Sequence, residues 1–210
     1  MNGDIATILS RVPVIPVLTI ARIEDAVPLA RALVDGGLSV LEITLRTDAA
    51  LDAISVIARD VPDAVTGAGT VLTLADLRCA REAGAQFAVS PGLAENLAAA
   101  ERLPLLPGVA TASEIMRGME RGLRHFKFFP AESSGGVAAL KSFAGPFPDI
   151  HFCPTGGITA KSAPDYLALK NVMCVGGSWM VPQAMIAAQD WRGIAKLAAE
   201  AASLRKGERP

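Results

Sequence analysis

The stretch Ser39-Val-Leu-Glu-Ile-Thr-Leu-Arg46 alternates apolar and polar side chains with a period of two, the repeat of an extended strand. Leu41, Ile43 and Leu45 then share one face, and Glu42, Thr44 and Arg46 share the other. A second stretch, His125-Phe-Lys-Phe-Phe-Pro130, behaves the same way: Phe126 and Phe128 take one parity, Lys127 and Phe129 the opposite one. A strand that is oily on one side and carries an acid or an amine on the other fits the wall of a closed barrel. There the apolar face meets helices and the polar face points into the lumen.

Outward from these two segments, short β-branched or apolar runs recur at intervals of roughly 20 to 25 residues, separated by Ala/Leu-rich stretches of helical spacing. Eight strands are expected, at Val12–Leu18, Ser39–Leu45, Val65–Gly69, Gln86–Ser90, Leu106–Ala110, His125–Phe129, Ile150–Pro154 and Val172–Val175. Helices are expected near Ile23–Asp35, Asp48–Arg59, Leu74–Ala83, Leu93–Glu101, Ser113–Glu120, Gly136–Phe143, Ala160–Leu169 and Val181–Leu204, with a short extra one at Gly3–Arg11. Eight strand-then-helix units predict an α/β fold: a single-domain (β/α)8 TIM barrel over residues 1–210 with an additional N-terminal helix, somewhat shorter than the usual ~250 residues. An open doubly wound sheet is the alternative.

The composition excludes several classes. Of the 210 residues, 51% are hydrophobic and 20% charged, so burial is extensive and an oligomer is expected. A net charge of −1, no basic stripe and few aromatic side chains argue against nucleic acid. No apolar run reaches the roughly 18 residues of a membrane helix, and the N-terminal stretch lacks a basic n-region followed by an apolar core. A cytoplasmic protein with no membrane partner is expected. Cys79, Cys153 and Cys174 lack the close spacing of zinc or redox motifs and are expected to be buried and reduced. His125 and His151 have no third ligand at workable spacing, so no metal and no cofactor are expected and both are read as structural.

Lys127 carries the chemistry. The other five lysines, Lys141, Lys161, Lys170, Lys196 and Lys206, fall in helices, loops or the C-terminal tail. An amine must be neutral to attack a carbonyl, and apolar neighbours penalise the ammonium form. A protonated imine is an electron sink, and a carboxylate such as Glu42 is needed to move protons around it. The competing reading is a Glu42–Lys127 pair that serves structure alone, but buried pairs seldom add net stability. At the C-terminal end of the chain, Pro154-Thr-Gly-Gly-Ile158 and Val175-Gly-Gly-Ser-Trp179 each follow an expected strand, where barrels commonly bind phosphate. Paired glycines let backbone N–H groups approach an anion, and Ser178 adds a hydroxyl. Gly67-Ala-Gly-Thr-Val71 lacks the third glycine of a dinucleotide fingerprint. Thr70 is read as a carboxylate ligand or, from spacing alone, as a helix cap.

The segments Leu41-Glu-Ile-Thr-Leu-Arg46, Gly67-Ala-Gly-Thr70, Val89-Ser-Pro-Gly92, Phe126-Lys-Phe-Phe-Pro-Ala-Glu132, Pro154-Thr-Gly-Gly157 and Gly176-Gly-Ser-Trp179 span nearly the whole chain. Together they resemble the 2-keto-3-deoxy-6-phosphogluconate aldolase family, whose members include 4-hydroxy-2-oxoglutarate aldolases. The resemblance implies a Schiff base at Lys127, acid/base work at Glu42, carboxylate recognition by Arg46 and Thr70, and phosphate recognition around Gly156, Gly157 and Ser178. Pro91 would line the site, with Phe129, Thr155, Gly176 and Gly177 completing the substrate-binding set. It further implies a small phosphorylated 2-keto acid as substrate, a homotrimer, and a place in the Entner–Doudoroff route of a bacterium. Phosphogalactonate aldolases look different around Arg46 and Pro130-Ala-Glu132, which favours the gluconate substrate. Two rival functions share some of these features: a phosphate-binding barrel isomerase or synthase that forms no imine, and a sensor of phosphorylated metabolites.

Overall fold

A computed structural model describes residues 4–98 and 103–204. Helix α1 (Ile5–Ser10) leads into nine parallel strand segments: β1 (Val14–Leu18), β2 (Val40–Thr44), β3 (Val65–Gly69), β4 (Phe87–Val89), β5 (Leu105–Leu106), β6 (Gly108–Val109), β7 (His125–Phe128), β8 (His151–Pro154) and β9 (Val175–Gly177). They run β5-β4-β3-β2-β1-β9 in one sheet and β6-β7-β8 in another. The nine segments occupy eight strand positions, because β5 and β6 are one strand interrupted at Pro107. Proline has no N–H for the ladder, so the strand shifts partners there, from β4 on one side to β7 on the other. Bridges Phe152↔Val172 and Thr155↔Gly176 join β8 to the β9 side, and the ring closes as a (β/α)8 barrel.

The apolar parity of the strands faces the helices as the alternation predicts. Leu41, Ile43, Phe126, Phe128 and Phe152 are fully buried, and Phe128 meets Phe143 and Phe152 edge-on at ring-centroid distances of 6.1 and 6.3 Å. Helices follow the strands: α2 (Ala26–Asp35), α3 (Ala50–Asp60), α4 (Leu74–Glu82), α5 (Glu95–Ala98), α6 (Ala112–Glu120), α7 (Gly136–Ala144), α8 (Ala163–Leu167), α9 (Gln183–Ala187) and α10 (Trp191–Ala202). Reciprocal capping boxes, Thr73 with Asp76 and Thr111 with Glu114, start α4 and α6 sharply after their loops.

Several sequence expectations need correction. The last strand is not Val172–Val175 but Val175–Gly177, so Gly176 and Gly177 belong to the barrel wall and not to a loop. Their missing Cβ atoms are what the wall requires: a methyl at Gly176 would strike the Thr155 hydroxyl, and one at Gly177 the Trp179 ring. The single long helix expected over Val181–Leu204 is broken into α9 and α10 by Gln189, at φ 54°, after which Asp190 caps α10 by accepting from the Gly193 N–H. The helix expected over Ile23–Asp35 begins as a 3-10 turn, Ile23–Asp25. The expected ends of the helices at Gly3 and 99–101 lie outside the described residues, as does Lys206. Cys153 and Cys174 are buried, but Cys79 is exposed on α4, because an amphipathic helix turns one face to solvent.

Candidate active site

β2 and β7 stand across the lumen, 85 residues apart in sequence, and their inward side chains meet. The Lys127 ammonium donates to Glu42 Oε1 at 2.9 Å, with side chains only 7% and 5% exposed. The Lys127 Nζ also lies 5.3 Å from the centre of the Phe129 ring. A proton can therefore pass directly between amine and carboxylate beside the Phe129 ring. What lets Glu42 reach across is Gly69 on β3, two residues further along the neighbouring strand than Gly67, the register partner of Glu42. An added Cβ at Gly69 would collide with the Glu42 carboxylate and its Cγ, so the acid lies over bare backbone.

The remaining expected residues gather at the C-terminal ends of the strands, the end on which barrels of this kind assemble their sites. Thr70 follows β3 at φ 59°, a left-handed conformation that is costly for a β-branched residue. The helix-capping alternative for Thr70 is excluded, since Thr73 caps α4. Pro91 follows β4, and its carbonyl occupies the space that a Cβ on Gly108 of β6 would need. Thr155, Gly156 and Gly157 follow β8, with φ of 105° and 80° at the two glycines. The Thr155 hydroxyl oxygen is buried and has no hydrogen-bond partner among the described residues. Ser178 follows β9 and shares a cavity of about 300 Å³ with Arg46. Arg46 and Ser178, far apart in the chain, thus stand on the same rim.

Sequence reasoning missed the supports of this site. The loops after β7 and β8 are stitched together by two backbone bonds, Ala131 N–H to Thr155 O at 2.8 Å and Glu132 N–H to Gly156 O at 3.1 Å. Glu132 packs its stem on Gly157 and accepts a 2.8 Å hydrogen bond from the buried Tyr166 hydroxyl of α8. Burial, reinforced by that carboxylate, pushes the Tyr166 phenol well above its ordinary value and keeps it a donor. At the opposite, N-terminal end of the barrel His125 and His151 are register partners with stacked rings at 5.6 Å, and burial followed by the neighbouring His151 pushes His125 down from 6.5. Among the described residues no group of three or more His, Cys, Asp or Glu is arranged to hold a metal ion, and no helix is long and apolar enough to cross a membrane.

Residues 5–197 match the family model described as KDPG and KHG aldolase. A curated relative from Escherichia coli K12, the KHG/KDPG aldolase, is 57% identical over 198 residues that cover 93% of each chain. The chain belongs to the KDPG and KHG aldolase family. Solved structures agree. The KDPG aldolase of Legionella pneumophila, with pyruvate captured at low pH as a covalent carbinolamine intermediate, superposes with a TM-score of 0.94 at 45% identity, covering 97% of this chain and 100% of that one. The 2-keto-3-deoxy-6-phospho-gluconate aldolase of Zymomonas mobilis gives 0.93 at 52% identity, covering 97% and 98%. Family membership and the Lys127–Glu42 contact point to the same chemistry. The first rests on sequence over most of the chain, the second on the placement of two side chains.

Proposed function

We propose that this chain is a class I aldolase that cleaves 2-keto-3-deoxy-6-phosphogluconate to pyruvate and glyceraldehyde 3-phosphate through an imine at Lys127. The observation that carries the residue assignment is the buried 2.9 Å contact between the only inward-facing lysine among the described residues and Glu42. Transfer of the lysine proton to Glu42 frees the amine, which attacks the C2 carbonyl carbon. Protonated Glu42 then gives its proton to the departing C2 hydroxyl, and water leaves as the C=N bond forms. Glu42, again a carboxylate, takes the proton of the C4 hydroxyl. The C3–C4 bond breaks with its electrons moving into the imine, which yields glyceraldehyde 3-phosphate and a pyruvate enamine. Protonation at C3 and hydrolysis of the imine release pyruvate and restore Lys127.

In this reading Arg46, with Thr70, holds the C1 carboxylate, because a guanidinium fork matches a carboxylate in a way an ammonium cannot. Pro91 and Phe129 line the pocket. The loop Thr155-Gly156-Gly157, with Gly176, Gly177 and Ser178, takes the phosphate, supported by the left-handed glycines and by the Thr155 hydroxyl, which has no partner among the described residues. The whole chain, residues 1–210, acts as one aldolase domain in the Entner–Doudoroff route. A cytoplasmic homotrimer is part of the same proposal. Three free cysteines favour a reducing compartment, and the exposed Leu72, Leu74 and Met116 offer apolar surface for association.

The test is borohydride reduction in the presence of pyruvate, followed by peptide mapping. A reduced three-carbon adduct is expected on Lys127, and a label found elsewhere or nowhere overturns the assignment. The double name of the Escherichia coli relative favours a second substrate, 4-hydroxy-2-oxoglutarate, cleaved to pyruvate and glyoxylate. Parallel pyruvate-release assays with the two keto acids rank them.

A further inference from the structure

Arg46 is exposed at the mouth of the barrel, and among the described residues no carboxylate pairs with it. Its one hydrogen bond there runs from Nη2 to the hydroxyl oxygen of Thr19, at 2.9 Å. Thr19 follows β1 and stands 3.2 Å, oxygen to oxygen, from the hydroxyl of Thr44, the last residue of β2. Thr44 in turn donates to the Leu18 carbonyl at 2.9 Å and is 2% exposed.

The direction of each bond follows from proton count. A hydroxyl has one proton to give, and a guanidinium has none of its lone pairs to offer. Thr44 commits its proton to Leu18, so between the two threonines Thr19 is the donor. Thr19, having given its proton to Thr44, meets Arg46 with lone pairs only. The chain therefore runs one way, Arg46 to Thr19 to Thr44 to the Leu18 carbonyl, and ends on backbone. That backbone belongs to the β1–β2 pair whose register, Val17 against Glu42, also sets the catalytic carboxylate. Thr19, Arg46, Ser178 and Gln183 line one cavity of about 300 Å³, into which Arg46 brings N–H donors that no described residue accepts.

We propose that Thr19 is a positioning residue for substrate binding: it holds the Arg46 guanidinium, in one orientation relative to Glu42, for the carboxylate of the keto acid. The proposal deepens the function proposed above and rests on Arg46 as the carboxylate site. It predicts an effect on binding of the pyruvate half of the substrate, shared by phosphorylated and unphosphorylated keto acids, with little effect on bond cleavage. Loss of the Thr19 hydroxyl leaves Thr44 its bond to Leu18 and leaves exposed Arg46 to water, so the fold has little to lose.

The experiment compares Thr19→Val, which keeps the volume and removes the hydroxyl, with Thr19→Ser, which keeps the hydroxyl. Thr19→Ala serves where the valine does not fold. The readouts are the pyruvate concentration giving half-maximal borohydride labelling, KM and kcat for both keto acids, and the melting temperature. For Thr19→Val the half-saturating pyruvate and both KM values should rise about 3- to 10-fold, the worth of one hydrogen bond, with kcat and melting unchanged and the serine variant normal. Unchanged half-saturation, a fall in kcat alone, or a serine variant as impaired as the valine one overturns the proposal. Arg46→Met separates the two levels. If it leaves pyruvate half-saturation unchanged, the carboxylate reading itself fails; if it weakens pyruvate while Thr19→Val does not, only the relay fails.

Discussion

Replacing Gly69 by alanine tests whether the position of the Glu42 carboxylate is what makes the site work. The new Cβ would overlap the Glu42 Oε1 and press on its Cγ and Cδ, so the acid must swing away from Lys127. Gly69 has no left-handed backbone to be strained by the substitution, and the perturbation is confined to that collision. Misplacing a reacting group by about 1 Å costs on the order of 100-fold in rate. Overpacking of this kind destabilises by about 1–3 kcal/mol, or roughly 2–12 °C of melting temperature for a chain of this size. The control is Gly67→Ala on the same strand, where the three atoms nearest the new Cβ all belong to the Phe87 ring and none to Glu42. Both variants should melt earlier. Only Gly69→Ala should lose kcat out of proportion, read by pyruvate release, and label slowly with borohydride. Gly69→Ala turning over at the rate of Gly67→Ala would refute the reasoning, since the acid would then work from more than one place.

Glu42→Gln keeps the shape and removes the base. Turnover should fall by about 100- to 10,000-fold with circular dichroism unchanged, and near-normal rates would remove Glu42 as the proton carrier. Tyr166→Phe deletes the hydroxyl that holds Glu132 beside Gly157, a bond worth about 0.5–1.5 kcal/mol because Glu132 is exposed. KM for the phosphorylated keto acid should rise relative to that for 4-hydroxy-2-oxoglutarate, and equal changes for both would show that the pair does not act on the phosphate loop. His125 has a folded-state value held below 6.5, so the unfolded chain binds more protons as pH falls through 6.5 and stability declines there. Thermal melts from pH 7.5 to 5.5 should show that decline, and His125→Gln should flatten it; an unchanged slope would assign the decline to other groups.

How much was legible from the chain follows from which properties are local. Strand alternation is a property of the backbone, so the inward parity of Glu42, Thr44, Arg46 and Lys127 was readable before any fold was known. The order of eight strand-then-helix units was readable for the same reason, apart from its edges. Pro107 divides a strand, and Gln189 divides a helix that the apolar spacing would have continued. Paired glycines look like a loop in a linear pattern, so the last strand lies further along the chain than its apolar run suggests. In the barrel they are wall residues whose missing Cβ atoms make room for Thr155 and Trp179.

By itself, then, the order of residues determined which side chains point into the lumen and that an amine and a carboxylate are among them. Only the closed ring decided that Lys127 and Glu42 touch across 85 residues, that Gly69 clears the way, that Thr19 ends up against Arg46 and that the Thr155 hydroxyl finds no partner among the described residues. The physical reason is that parity depends on one residue and its neighbours. Distance across a barrel depends on the register of every strand between.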